Sequence, residues 1–191
     1  MKIQEEILKR INQVIEKQGY VVIGIDGRCA SGKSHFSRWL QEQTRGTLIH
    51  MDDFFLRPEQ RTPERYAAPG ENVDHERFLS EVLLPLSRRE PFTYHPFDCS
   101  TMSLKAGIKV PVNQVTIIEG SYAMRKDLRD YYDLKIFMTV SPEVQIKRIR
   151  KRDPEKVQDF EKKWIPFEEK YFSASRVDQV CDIVIDTTDM F

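Results

Sequence analysis

Apolar residues at Ile3, Ile7, Ile11 and Val14, joined by Leu8 and Ile15, recur at helical spacing, while charged residues fill the opposite face as far as Gly19. This pattern predicts an amphipathic helix lying on a sheet. The run 20–25 that follows is almost unbroken in apolar and β-branched residues and stops at Asp26 and Gly27, as a strand buried on both faces of a parallel sheet would. Further short runs at 47–51, 115–118, 134–140 and 183–185 are separated by helical patterns such as 36–43 and 143–150. Alternation of this kind predicts an α/β fold in which a parallel five-stranded sheet is flanked by helices.

The stretch 57–111 breaks the rhythm. It holds seven of the ten prolines and several aromatics, with a helix-like piece at 75–84. We read it as an insertion above the sheet, a place where substrate loops tend to sit. At 191 residues the chain is expected to form a single domain, 1–191, without repeats. Thirty basic residues balance thirty acidic ones, which argues against general nucleic-acid or acidic-membrane binding. The segment 1–10 mixes charges into its apolar residues and does not read as a signal or transit sequence. No apolar run approaches the roughly 20 residues of a membrane span. Three cysteines, far apart and without C-x-x-C spacing, fit a reducing compartment, so a soluble, cytoplasmic protein is expected.

The strongest chemical signal is Gly27, Arg28, Cys29, Ala30, Ser31, Gly32, Lys33 and Ser34, which spell G-x-x-x-x-G-K-S between a predicted strand and a predicted helix. Two glycines let the main chain curl so that successive N–H groups point at phosphate oxygens, and the start of the helix, with His35 in its first turn, adds its positive dipole end. Lys33 is expected to reach the outer phosphates and Ser34 to offer its hydroxyl to magnesium. A second anchor for magnesium is expected at the end of a neighbouring strand, where 115–118 runs into Glu119 and Gly120.

The guanine-reading element Asn-Lys-x-Asp of GTP switches is missing. At the end of the second strand stand His50, Met51, Asp52, Asp53, Phe54 and Phe55 instead. Ligands of such sheets bind outside the carboxyl ends of the strands, so Asp52 is expected to face the phosphate loop and accept a proton from, or orient, an acceptor hydroxyl. Asp52 and Asp53 would diverge on an extended chain, leaving one of them toward the reaction.

Together, Ala30-Ser31-Gly32-Lys33-Ser34, Asp52-Asp53-Phe54-Phe55, Asn72-Val73-Asp74-His75, Glu119-Gly120 and Cys181-Asp182-Ile183-Val184-Ile185-Asp186 resemble the uridine kinase family. That group belongs to the wider set with nicotinamide riboside kinase, pantothenate kinase and phosphoribulokinase. The resemblance implies a P-loop kinase using ATP and Mg2+, with a substrate-binding insertion and a basic lid at 147–163. It implies Asp52 as catalytic base, also near the metal, and Ser34 with Glu119 as the magnesium environment. Asp74 would bind ribose hydroxyls, or else cap the helix at 75–84. Asp53, Tyr94, His95 and Phe97 fall where the family contacts the nucleoside, although the family's Tyr-Asp-Phe spacing is not reproduced. Lys147, Arg148, Arg150, Lys151 and Arg152 put five basic residues in six; Arg148 and Arg152 share a helix face and would close over the phosphates. The turn 185–188 matches the place where related kinases contact adenine.

The expected acceptor is a small nucleoside-like molecule such as uridine or cytidine. Sister activities on nicotinamide riboside, pantothenate or another hydroxyl metabolite remain alternatives, as does a nucleotide-binding regulatory protein without transfer. The sequence leaves the oligomeric state open, with a homo-oligomer among the options.

Overall fold

The computed structural model describes residues 2–190, so Met1 and Phe191, the outermost residues of the expected domain, lie outside the described residues. Helix α1 (Lys2–Gln18) leads into β1 (Val21–Gly27), and the glycine-rich loop joins β1 to α2 (Lys33–Thr44) and then β2 (Thr47–His50). The 57–111 stretch contains short helices α3 (Pro63–Ala67), α4 (His75–Phe78) and α5 (Leu84–Ser87), the last two fused through a π-helical turn, Leu79–Leu83. It then forms β3 (Phe92–Tyr94), β4 (Phe97–Asp98), β5 (Ser103–Leu104) and β6 (Ile108–Val110). These pair as two antiparallel ribbons, β3 with β6 and β4 with β5. Strands β7 (Val115–Glu119) and β8 (Leu134–Thr139) precede α6 (Pro142–Arg152), α7 (Val157–Asp159), a π turn at Phe160–Trp164, α8 (Ile165–Ser175), α9 (Val177–Val180) and β9 (Ile183–Asp186).

Five strands form one parallel sheet in the order β2-β7-β1-β8-β9. The helices cover both faces, and two apolar layers result. On one face Ile7 and Ile11 of α1 and Phe36 and Leu40 of α2 pack against Ile23, Ile25, Ile117 and Ile136. Each such fully buried aliphatic side chain contributes roughly 1.5–3 kcal/mol. On the other face Phe54, Phe78, Val82, Leu83, Tyr171 and Phe172 pack against Val22, Ile118 and Phe137. The expected five-stranded parallel sheet is the one observed. Among the described residues no helix is long and apolar enough to cross a membrane.

Three local departures from the sequence reading are seen. Strand β1 continues through Asp26 to Gly27, because its parallel pairing with β8 extends to Gly27 opposite Met138. Residues Met51–Phe54 form a 3-10 turn, not an extended continuation of β2. The helix at 75–84 runs on to Ser87 through its π turn.

Gly24 of β1 lies under closely packed side chains. A Cβ there would lie 2.5 Å from both Met124 Cε and Tyr132 Cδ2. Gly24→Ala is therefore expected to destabilise the protein by about 1–3 kcal/mol through overpacking. Urea unfolding should give a lower midpoint with an unchanged slope.

Candidate active site

The loop after β1 curls because three of its residues take positive φ: Gly27 at 149°, Ala30 at 59° and Gly32 at 93°. At Gly27 a Cβ would stand 2.0 Å from the main-chain oxygen of Met138, so no side chain fits. Its carbonyls are taken in succession by protein donors. The Lys33 ammonium donates to Gly27 O at 2.7 Å and to Arg28 O at 2.9 Å. Gln145 Nε2 donates to Cys29 O at 3.0 Å, Arg148 to Ala30 O at 3.2 Å, and the Thr187 hydroxyl to Ser31 O at 2.9 Å. With these carbonyls engaged, the start of α2 that closes the loop is the end of a helix where an anion is favoured. The buried Ser31 hydroxyl has no protein partner. Such a cradle suits an anion.

The loop borders a cavity of about 570 Å³. Cys29, Ala30, Gly32, Lys33, Ser34 and His35 line one side, and Asp52, Glu119, Ser121 and Tyr122 another. Ser34 Oγ lies 3.3 and 3.5 Å from the two Glu119 oxygens, and His50 Nδ1 lies 2.6 Å from Glu119 Oε1. That hydrogen bond, opposed by burial and aided by the Glu119 charge, raises the His50 pKa. Asp52 is exposed to solvent through the cavity, with much protein close around it. Burial, followed by the Glu119 charge, raises its pKa against the pull of Lys33 and His50, a direction that favours proton acceptance near neutral pH. The hydroxyl and carboxylate oxygens of Ser34, Glu119 and Asp52 form a hard donor set that suits magnesium. Cys29 is no nucleophile: burial and then Glu168 push its thiol up to about 12.

A second wall comes from the C-terminal helices. Ser141 caps α6 with its hydroxyl, and Pro142 begins it. Arg148, Arg152, Lys156, Phe160, Trp164 and Glu168 line the cavity, each four residues after the one before. Besides Ala30 O, Arg148 reaches Thr187 O at 2.6 Å and Thr187 Oγ1 at 3.0 Å, which ties the turn after β9 to the loop. Arg152 lies over the Phe160 ring, 5.5 Å from its centroid. The last four members of the stripe are not evident from charge or motif; their four-residue spacing from Arg148 was the available signal.

Several expected site residues lie elsewhere. Arg28 turns away from the cavity into a bidentate pair with Glu169, at 2.6 and 2.8 Å. Asp74 is 1% exposed, caps α4 by accepting the Arg77 N–H at 3.2 Å, and pairs with Arg57 and Arg77. Burial alone would raise its pKa; hydrogen bonds from Gln60 and Arg77 and the charges of Arg77 and Arg57 hold it below the ordinary value. Tyr94 stacks on Phe54 in the core and donates its hydroxyl to Asp53 Oδ2 at 3.1 Å. Phe97 is buried under Arg61. His95 is fixed through its main chain, its N–H on Glu81 and its carbonyl on Arg77. None of Asp53, Asp74, Tyr94, His95 or Phe97 lines the cavity. Packing and ion pairing have claimed them, and Phe55, Asn72 and Val73 contribute from that region instead.

The sheet order, the curled loop and the cavity at the carboxyl ends of the strands define the class: this is the P-loop kinase fold of nucleoside and metabolite kinases. The structure described as "Possible Uridine Kinase" from Bacillus stearothermophilus superposes with a TM-score of 0.68 over 95% of this chain and 100% of that one, at 21% identity. Phosphoribulokinase from Rhodobacter spheroides superposes with a TM-score of 0.59 over 87% of this chain and 70% of that one, at 16% identity. In sequence, uridine kinase of Bacillus velezensis is 30% identical over 144 residues, 70% of this chain and 67% of the relative. That of Geobacillus kaustophilus is 28% identical over the same share of each chain. The chain belongs to the uridine kinase family. No family model matches its sequence.

Beneath the loop, Asp26 is fully buried and accepts hydrogen bonds from the N–H groups of Gly27 (2.6 Å) and Met124 (2.8 Å) and from the Tyr171 hydroxyl (2.8 Å). Burial outweighs these bonds and the Lys33 charge and raises its pKa from 3.8 to about 6. The folded state therefore holds the Asp26 proton more tightly than the unfolded chain, and this residue's contribution to stability falls as pH rises from 3.8 through about 6. Relative to Asp26→Asn, which does not titrate, the wild type should lose on the order of 3 kcal/mol between pH 4 and 7. Denaturant unfolding of both proteins at the two pH values measures it; a constant difference would contradict the assignment.

Proposed function

We propose that this chain transfers the terminal phosphate of ATP, bound as its Mg2+ complex, to a hydroxyl of a ribonucleoside such as uridine or cytidine. The observation that carries the reading is that the Asp52 carboxylate opens onto the same cavity as Lys33 and the Ser34–Glu119 pair. Loop amides and Lys33 would hold the phosphates, with Lys33 leaving its carbonyl partners for phosphate oxygen. Ser34, Glu119 and Asp52 would provide the metal's oxygen environment. Magnesium, when bound, supplies charge neutralisation on the phosphates.

Asp52 accepts the proton of the acceptor hydroxyl as its oxygen forms a bond to the terminal phosphorus; the bond from that phosphorus to the bridging oxygen breaks, and ADP leaves. Arg148, Arg152 and Lys156 bring positive charge to the transferring group, and the segment that carries them acts as the lid, limiting water. Phe55, Phe160 and Trp164 supply apolar faces in the same cavity, which suits a planar base. The acceptor class is supported by the uridine kinase relatives of this chain. A sister kinase acting on nicotinamide riboside or pantothenate uses the same chemistry. A binder without transfer has no need of Asp52 facing the phosphates.

Asp52→Asn is expected to lower kcat by about 10²–10⁴-fold while the variant still binds ATP. ADP release measured across a panel of nucleosides and vitamins, with calorimetry for ATP, tests both. Tight ATP binding without stimulation by any acceptor would favour the binder, and full activity of the variant would remove Asp52 from the chemistry.

A further inference from the structure

The stripe along the second wall ends in an acid placed against the phosphate loop. Glu168 is 6% exposed, and its Oε2 accepts the N–H of Cys29 at 2.9 Å, while its Oε1 accepts the Ser121 hydroxyl at 2.7 Å. Next to it Glu169 holds Arg28 through both oxygens, and Tyr171 donates to Asp26 at 2.8 Å. Helix α8 thus grips positions 26, 28 and 29, the root of the loop, through side chains at 171, 169 and 168. Glu168 also lines the cavity with Lys33.

The Cys29 amide that Glu168 holds belongs to a loop suited to an anion, and a carboxylate oxygen and a phosphate oxygen are alternative acceptors for such a donor. A phosphate chain entering the cavity would meet the Glu168 charge at short range with little water between them, where like charges repel strongly. Both cannot hold the loop at once without that cost.

We propose that Glu168 is a built-in competitor for the nucleotide's phosphates: its carboxylate satisfies the phosphate loop of the free protein and is displaced when a nucleotide polyphosphate binds. The inference rests on the kinase reading of this cavity and deepens it. Displacement releases one of the attachments of α8, and α8 is continuous with the π turn that carries Phe160 and Trp164. Nucleotide binding is thereby coupled to the wall that faces the acceptor. Glu168 is a positioning residue in this account and makes no bond to the transferred group.

The test uses Glu168→Gln, whose amide oxygen can still accept from Cys29 or Ser121 but carries no charge. Calorimetry with ADP, a nonhydrolysable ATP analogue and inorganic phosphate is expected to give affinities about five- to tenfold tighter than wild type, because a neutral acceptor competes less well than a charged one. A contact that merely braces the fold predicts the opposite: a lower melting temperature with unchanged or weaker binding, which would overturn the proposal. Ser121→Ala, which removes the hydroxyl anchoring Oε1, is expected to tighten binding by a smaller factor and carries the test if the first variant does not fold. In a Trp39→Phe background, Trp164 emission should shift on adding ADP; tighter binding with no such shift would overturn the coupling. A wild type that binds neither adenine nucleotide nor phosphate would instead bring down the kinase reading itself.

Discussion

The turn between β1 and α2 carries more polar main chain than it can satisfy internally, and the surrounding elements are organised around that deficit. Five consecutive carbonyls, from Gly27 to Ser31, accept from Lys33, Gln145, Arg148 and Thr187, side chains drawn from α2, α6 and the turn after β9. On the amide side, Asp26 takes the N–H of Gly27 and Glu168 that of Cys29. An unsatisfied buried amide or carbonyl costs about 1–3 kcal/mol, so these partners fix the loop and orient it. The sheet contributes the starting point, because Gly27 passes so close to the Met138 carbonyl that β8 sets where the turn must begin.

The sequence revealed the parts of this arrangement that are local. Five apolar runs became the five strands within a few residues; the three central strands β1, β7 and β8 are buried almost throughout and so carry nearly continuous apolar sequence. The glycine-rich turn was legible because its spacing is dictated by main-chain geometry. Asp52 was placed by topology, as the residue just beyond a strand end, and it opens onto the cavity even though a 3-10 turn replaces the extended chain assumed for it.

The acceptor side was less legible, for physical reasons. Tyr94 and Phe97 look from sequence like a wall for a planar ring, but an aromatic side chain serves a core equally well, and here Phe54 and Arg61 cover them. Asp74 is equally suited to a diol and to a helix cap, and in this structure it caps α4 and pairs with Arg57 and Arg77. In the other direction, the stripe from Arg148 to Glu168 runs through Pro154 and a π turn, so it does not announce itself as one helix face. Its four-residue spacing also passes from basic to aromatic to acidic, which no hydrophobic periodicity registers.

That stripe changes how the charges of the cavity are understood. Asp52, Glu119 and Glu168 line one cavity together with Lys33, Arg148, Arg152 and Lys156, and a nucleotide polyphosphate adds several negative charges to it. Three similar acids then need three different means of accommodation in the proposed reaction. Glu119, beside the Ser34 hydroxyl, is placed to have its charge met by a cation. Asp52, with its pKa already raised, is disposed to take up a proton. Glu168 is held by an amide and a hydroxyl, with no cation among its hydrogen-bond partners in the described residues, and leaving the loop is the accommodation its position permits. The acids of this site are therefore distinguished by the partners that surround them, and the fold assigns those partners from different elements: α2, β2 and β7 for the first two, the loop and the turn after β7 for the third.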